Sequence, residues 1–140
     1  MASKYTPGDY DLSVKRSYAG LGLFTNSAIE RGKCVVEYYG RELTEEEERT
    51  SRSKYLFEVS ATKTIDGTER DNVARYINHS CRPNCEAVIA KGRVFIFARR
   101  GIKPGEELTY DYGKNYFNTF IKPNGCRCDK CMPKDAGASR

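Results

Sequence analysis

Hydrophobic and polar positions alternate along most of this chain, in short runs broken by glycine, proline and polar clusters. DLSVKRS sets Leu12 and Val14 between polar neighbours, the period-two pattern of a half-buried strand. AGLGLF at 19–24 reads as a glycine turn running into a second strand. KCVVEYYG at 33–40 is rich in β-branched and aromatic residues and stops at Gly40. YLFEV at 55–59 and KTIDG at 63–67 give further short strands. CEAVIA and RVFIFARR form the clearest hairpin, joined by Lys91-Gly92. GIKPGEE at 101–107 is a turn, and ELTYDYG at 107–113 is a last strand.

Helical signal is sparse. LTEEEERTSR begins with Thr44, and Glu47 stands three residues on, as a capping box requires. The glutamates at 45–48 then lie at the positive end of the helix dipole, so a solvated helix start accounts for them. Residues 71–76 have room for one helical turn. Residues 1–10 read as a frayed lead-in, and the tail beyond Pro133 as disordered. The fold class is therefore mainly β with short helices, without internal repeats or βαβ alternation. Gly20-Leu21-Gly22 is not a dinucleotide fingerprint, because it lacks the third glycine and the following helix.

Bulk composition narrows the function classes. At 140 residues the chain fits one domain with a real core. No apolar run approaches the length of a membrane span, and MASKYTPGDYDLSV lacks the apolar middle of a secretory signal. These features point to a soluble protein of a reducing compartment, cytoplasmic or nuclear. The net charge of +5 is spread along the chain, so direct nucleic-acid binding ranks behind other readings.

In such a compartment six cysteines suggest metal before disulfides. CRCDKC puts Cys126, Cys128 and Cys131 close enough to wrap one tetrahedral zinc, with Zn–S distances of about 2.3 Å. A fourth ligand must come from elsewhere, and Cys34, His79, Cys81 and Cys85 are the candidates. His79 is the chain's single histidine. It invites a role as base or ligand, but no Gly-x-Ser-x-Gly elbow accompanies it.

Taken in order, these segments resemble the SET-domain family of protein lysine methyltransferases. The resemblance runs from residue 11 to about 133. Gly20-Leu21-Gly22 resembles its first cofactor loop, EYYG at 37–40 its Glu-Tyr-x-Gly segment, and YLFEV with TIDG its middle strands. RYINHSCRPNC at 75–85 and GEELTYDYG at 105–113 resemble its two signatures, and CRCDKC its post-SET zinc segment. The resemblance implies a β-clip fold in which the strand at 110–112 passes beside Asn78-His79 as a pseudoknot. It divides the chain into a lead-in (1–10), a SET domain (11–113), a zinc-bound post-SET segment (114–133) and a disordered end (134–140).

It also implies functions for residues. S-adenosylmethionine would lie against Gly20, Leu21, Gly22, Tyr55, Asn78 and His79. Zinc would be held by Cys81, Cys126, Cys128 and Cys131. Tyr112 would be the catalytic tyrosine, with Tyr38 and Tyr110 lining a lysine channel. His79 would then be neither base nor ligand. The partner would be a protein with an accessible lysine, a histone tail or another basic protein. A tyrosine at 110 implies mono- or dimethylation, because its hydroxyl can hold a water in the space a third methyl needs. The alternative is a catalytically silent module that binds a protein tail. No cysteine-rich segment precedes residue 11, and the stretch between Tyr39 and Asn72 is short, which leaves the substrate groove less defined.

Overall fold

A computed structural model of the chain describes residues 4–18, 20–69 and 71–112. Cys126, Cys128, Cys131 and the two segments from 114 to 140 lie outside the described residues.

The N-terminal alternation forms the antiparallel pair β1 (Leu12–Ser17) and β2 (Gly20–Thr25), in register from Leu12 opposite Thr25 to Ser17 opposite Gly20. Gly20 has a φ of +100°, a backbone state that side chains resist. Next come β3 (Cys34–Tyr38), the short β4 (Arg41–Glu42) and helix α1 (Glu45–Thr50). The capping box forms as expected. The Glu47 amide donates to Thr44 Oγ1 at 3.1 Å, and the Thr44 amide to Glu47 Oε1 at 2.9 Å. The helix buries none of its residues, so its cap rather than packing holds it. β5 (Leu56–Ser60) and β6 (Lys63–Asp66) follow and form a three-stranded sheet with β4 in the order β4-β6-β5.

After a single 3-10 turn at Val73–Tyr76 come β7 (Asn78–His79), β8 (Cys85–Ala90), β9 (Arg93–Ala98) and β10 (Thr109–Tyr110). β8 and β9 make the foreseen hairpin. Lys91 at φ +52° and Gly92 at φ +74° both adopt the left-handed state a two-residue type I′ loop demands. β9 is the middle of the sheet β3-β9-β8 and is buried on both faces. Val94, Ile96 and Ala98 face the main core with Leu23, Ile77 and Leu108. Phe95 and Phe97 face the other way with Cys34.

That second face is covered by the lead-in. The Tyr5 ring lies 5.4 Å from Phe95 and edge-on to Phe97 at 5.8 Å, and the Gly8 amide donates to the Cys34 carbonyl at 3.0 Å. Fraying was expected here because the segment lacks periodicity. The Tyr5 ring, the Gly8 backbone bond and Tyr10 packed on the main core hold it, and none of these leaves a repeating pattern.

The chain returns late to the N-terminal hairpin. Thr25 donates to the Glu106 carbonyl at 3.0 Å, and Leu108 to the Leu23 carbonyl at 2.8 Å. On its other side the same stretch meets the 78–84 segment, so residues 106–110 lie between two earlier parts of the chain, as the pseudoknot expectation requires.

Candidate active site

Two of the shortest strands meet at the centre of the molecule. β7 and β10 pair in parallel, Thr109 opposite Asn78 and Tyr110 opposite His79. A ladder of two residues cannot hold itself, so side chains complete it. Asn84 is buried and acts as a clamp. Its Nδ2 donates to the Glu107 carbonyl at 2.8 Å, and its Oδ1 accepts from the Thr109 amide at 2.9 Å. Beyond the ladder, the Ser80 amide donates to the Tyr110 carbonyl at 3.2 Å.

His79 answers the question its sequence position raised. It is buried, and its Nδ1 accepts from the Tyr112 amide at 3.1 Å, so that nitrogen carries no proton. The proton sits on Nε2, 3.3 Å from Cys81 Sγ. Burial pushes the imidazole below its ordinary pKa, and Asp111 at 3.7 Å opposes this only in part. His79 is thus a neutral brace between two segments, with both ring nitrogens engaged.

The tyrosines foreseen for a channel stand together. The rings of Tyr38 and Phe57 are 5.4 Å apart, Phe57 and Tyr110 6.5 Å, Tyr110 and Tyr112 5.0 Å, and Tyr112 and His79 5.4 Å. They form one continuous aromatic wall. Tyr112 donates its hydroxyl proton to the Ile77 carbonyl, and Tyr38 donates to the Tyr55 carbonyl at 2.6 Å. A phenol whose proton is held this way turns its oxygen lone pairs toward other partners.

Tyr38 is set from behind. A Cβ on Gly67 would come within 2.6 Å of both the Tyr38 ring and Asn72 Nδ2. Asn72, wholly buried, donates to the Gly67 carbonyl at 3.0 Å and accepts from the Tyr39 amide at 3.2 Å.

On the other side of β7 lies the glycine strand. Asn78 Nδ2 donates to the Leu21 carbonyl at 3.0 Å and to Glu107 Oε2 at 2.8 Å. Glu107 Oε1 accepts from Ser17 Oγ at 2.6 Å. Tyr18 donates to the His79 carbonyl at 2.7 Å. Gly20, Leu21 and Gly22 therefore border Asn78 and His79, and Leu21 is 54% exposed beside them. Tyr55 stands apart from this group. Its carbonyl serves Tyr38, and its ring lies under the Arg75 guanidinium at 5.2 Å.

The cysteines separate by environment. Burial pushes the Cys34 thiol up to about 11, with Glu37 adding to the shift, and the Cys85 thiol up to about 12. Burial thus disfavours the thiolate at both positions. Cys81 is half-exposed and faces a donor, His79 Nε2–H, suited to a thiolate. Cys126, Cys128 and Cys131, expected to join it, lie outside the described residues.

Residues 20–113 match the SET domain family. The chain belongs to the SET-domain family. Curated proteins similar to it include several histone-lysine N-methyltransferases. The trithorax protein of Drosophila virilis is 40% identical across 94% of this chain, ASHH3 of Arabidopsis thaliana 37% across 82%, and the H3 lysine-4 specific enzyme of Schizosaccharomyces pombe 41% across 66%. The chain spans only 4%, 34% and 11% of the lengths of these three relatives.

Several site residues went unseen in the sequence. Ser17, Tyr18, Phe57, Asn72, Asn84 and Glu107 all touch the expected site residues or fix their positions. Glu107 and Asn84 stand inside the two SET signatures, and that was their only signal.

Proposed function

We propose that this SET domain transfers a methyl group from S-adenosylmethionine to the side-chain amine of a lysine in a protein substrate, a histone tail or another basic protein. The contact that carries this reading is the pairing of Asn78-His79 with Thr109–Tyr110, which joins the glycine strand to the aromatic wall through one thin partition. The donor would lie on the Gly20–Gly22 and Asn78 side, where both hydrogens of Asn78 Nδ2 are committed within the protein and Oδ1 is left to meet an incoming donor group. When bound, S-adenosylmethionine supplies a sulfonium methyl, open to in-line displacement by an uncharged amine.

The chain's own residues prepare that amine. A lysine titrates near about 10.4 in water, so it arrives as an ammonium. Tyr38, Phe57, Tyr110 and Tyr112 strip its water, which lowers its pKa and favours loss of the proton to solvent. The Tyr112 oxygen, its own proton held by Ile77, accepts from the amine and turns the nitrogen lone pair toward the methyl. Tyr38 closes the opposite wall. No side-chain base is needed, which agrees with a neutral, fully engaged His79.

Tyr110 supports a mono- or dimethylating enzyme. Tyr110→Phe should shift products toward higher methylation by mass spectrometry. Mainly trimethyl-lysine from the parent would overturn that part of the reading. Cys81 with Cys126, Cys128 and Cys131 would hold zinc as an organising ion. Thiol labelling after chelation should then reach these four together, and Cys34 and Cys85 only on unfolding. Radiolabelled transfer to a panel of histones and lysate proteins tests the activity itself. Label on lysine is the expected result, and no label on any protein contradicts it.

A further inference from the structure

Glu107 is held at both ends and sits where three segments meet. Its carbonyl accepts from Asn84 at 2.8 Å. Its carboxylate accepts from Ser17 at the end of β1 and from Asn78 on β7. It also presses on the glycine strand, because a Cβ built on Gly22 would lie 2.2 Å from Glu107 Oε2. Among the described residues it has no Lys or Arg ion-pair partner. A carboxylate can only accept, so it fixes the polarity of whatever it meets.

We infer that Glu107 is a positioning residue for the methyl-donor cleft: together with the Leu21 carbonyl it holds the Asn78 amide with Oδ1 turned outward, and it crowds position 22 in favour of glycine. This rests on the donor-site reading proposed above. Without Glu107, only the Leu21 carbonyl holds Asn78 Nδ2, and the amide is less firmly fixed against a half-turn that would present a donor where an acceptor is needed. Loss of the oriented amide would then weaken donor binding while leaving the lysine channel, on the far side of β7, intact.

The choice of residue follows from the partners. Gln can replace Glu here, its Oε1 accepting from Asn78 and its Nε2 donating to Ser17 Oγ, which is able to reverse its role. Ala cannot. The glycine at 22 is coupled to the same carboxylate, which at 2.2 Å is the nearest obstacle to a Cβ there, with the Ser17 Cβ next at 2.9 Å.

Two measurements test this. The first is a thermal-stability cycle over Gly22→Ala and Glu107→Ala, which needs no ligand. Gly22→Ala should lower the midpoint in the parent and do so much less in the Glu107→Ala background. Equal losses in both backgrounds would overturn the coupling. The second is calorimetric titration with S-adenosylmethionine, alongside the KM of the peptide. Glu107→Ala should raise the donor Kd about tenfold with the peptide KM unmoved, and Glu107→Gln should stay within about threefold of the parent. A Gln variant as weak as Ala, or an Ala variant that binds like the parent, refutes the lock. A parent that binds no S-adenosylmethionine at all sinks the donor-site reading instead, and the stability cycle still judges the coupling on its own.

Discussion

The sheet β3-β9-β8 and the crossing of β7 with β10 are held by different forces. The sheet has strands of five and six residues, a full backbone ladder from Cys85 opposite Ala98 to Ala90 opposite Arg93, and alternating side chains that fill two cores. The crossing has two paired positions. Asn84, His79, Asn78 and Tyr112 supply the rest from their side chains. A ladder spreads its stability over many equivalent bonds, whereas the crossing concentrates it in a few bonds, each with a single possible donor or acceptor. Substitutions on the exposed edge of the first region should therefore be tolerated, whereas loss of one polar side chain in the second should be costly.

The sharpest way to break that contrast is Asn84→Ala. It strands the Glu107 carbonyl and the Thr109 amide, and each buried unpaired group costs about 1–3 kcal/mol. Unfolding in denaturant should show a loss of about 3 kcal/mol. A loss below about 1 kcal/mol would mean the crossing holds without its clamp.

Next in size comes Tyr112→Phe. It deletes the hydroxyl that donates to Ile77 but keeps the ring stack against Tyr110 and His79. Turnover should fall about 100-fold, equivalent to about 2.7 kcal/mol of barrier, with the folded state retained. Unchanged turnover would remove the hydroxyl from the chemistry.

The contrast also explains what could be read from the sequence. The hairpin was visible because its order is local: alternation, a two-residue turn and β-branched residues. The capping box of α1 was visible for the same reason. The crossing has no period. Asn84 meets Glu107 across 23 positions, Asn78 meets Glu107 across 29, and Tyr112 meets His79 across 33. To composition and periodicity these are polar residues in turns. The tyrosines and Asn78 drew attention through the resemblance alone, His79 also as the single histidine, and residues that merely hold them, such as Asn72 and Glu107, drew none. Tyr5 escaped notice because one ring covering Phe95 and Phe97 leaves no repeating mark.

A smaller effect belongs to the turn that feeds β10. The Arg100 guanidinium beside Glu106, together with the Lys103 amide, holds the Glu106 carboxyl below its ordinary value of 4.5. A depressed carboxyl stabilises the fold above that ordinary value and loses its contribution as pH falls through the folded one. Glu106→Gln should cost under about 1 kcal/mol at neutral pH, since the pair is partly exposed. Its thermal midpoint should converge with the parent's in acid, below the ordinary carboxylate value of 4.5. A gap that widened in acid would contradict the assignment.

The smallest effect should come from the sheet itself. Ile89 on the edge strand β8 is 48% exposed. Ile89→Ala should change stability by no more than about 0.5 kcal/mol. A loss matching that of Asn84→Ala would erase the difference between the two regions.

The most direct test is a crystal structure of the protein with S-adenosylhomocysteine and a lysine peptide. The account predicts the donor's product against Gly20–Gly22 and Asn78, with the lysine nitrogen reaching its sulfur past Tyr38, Tyr110 and Tyr112. A sulfur and a lysine nitrogen on unconnected surfaces, or a solid wall of side chains between them at β7 and β10, would contradict it.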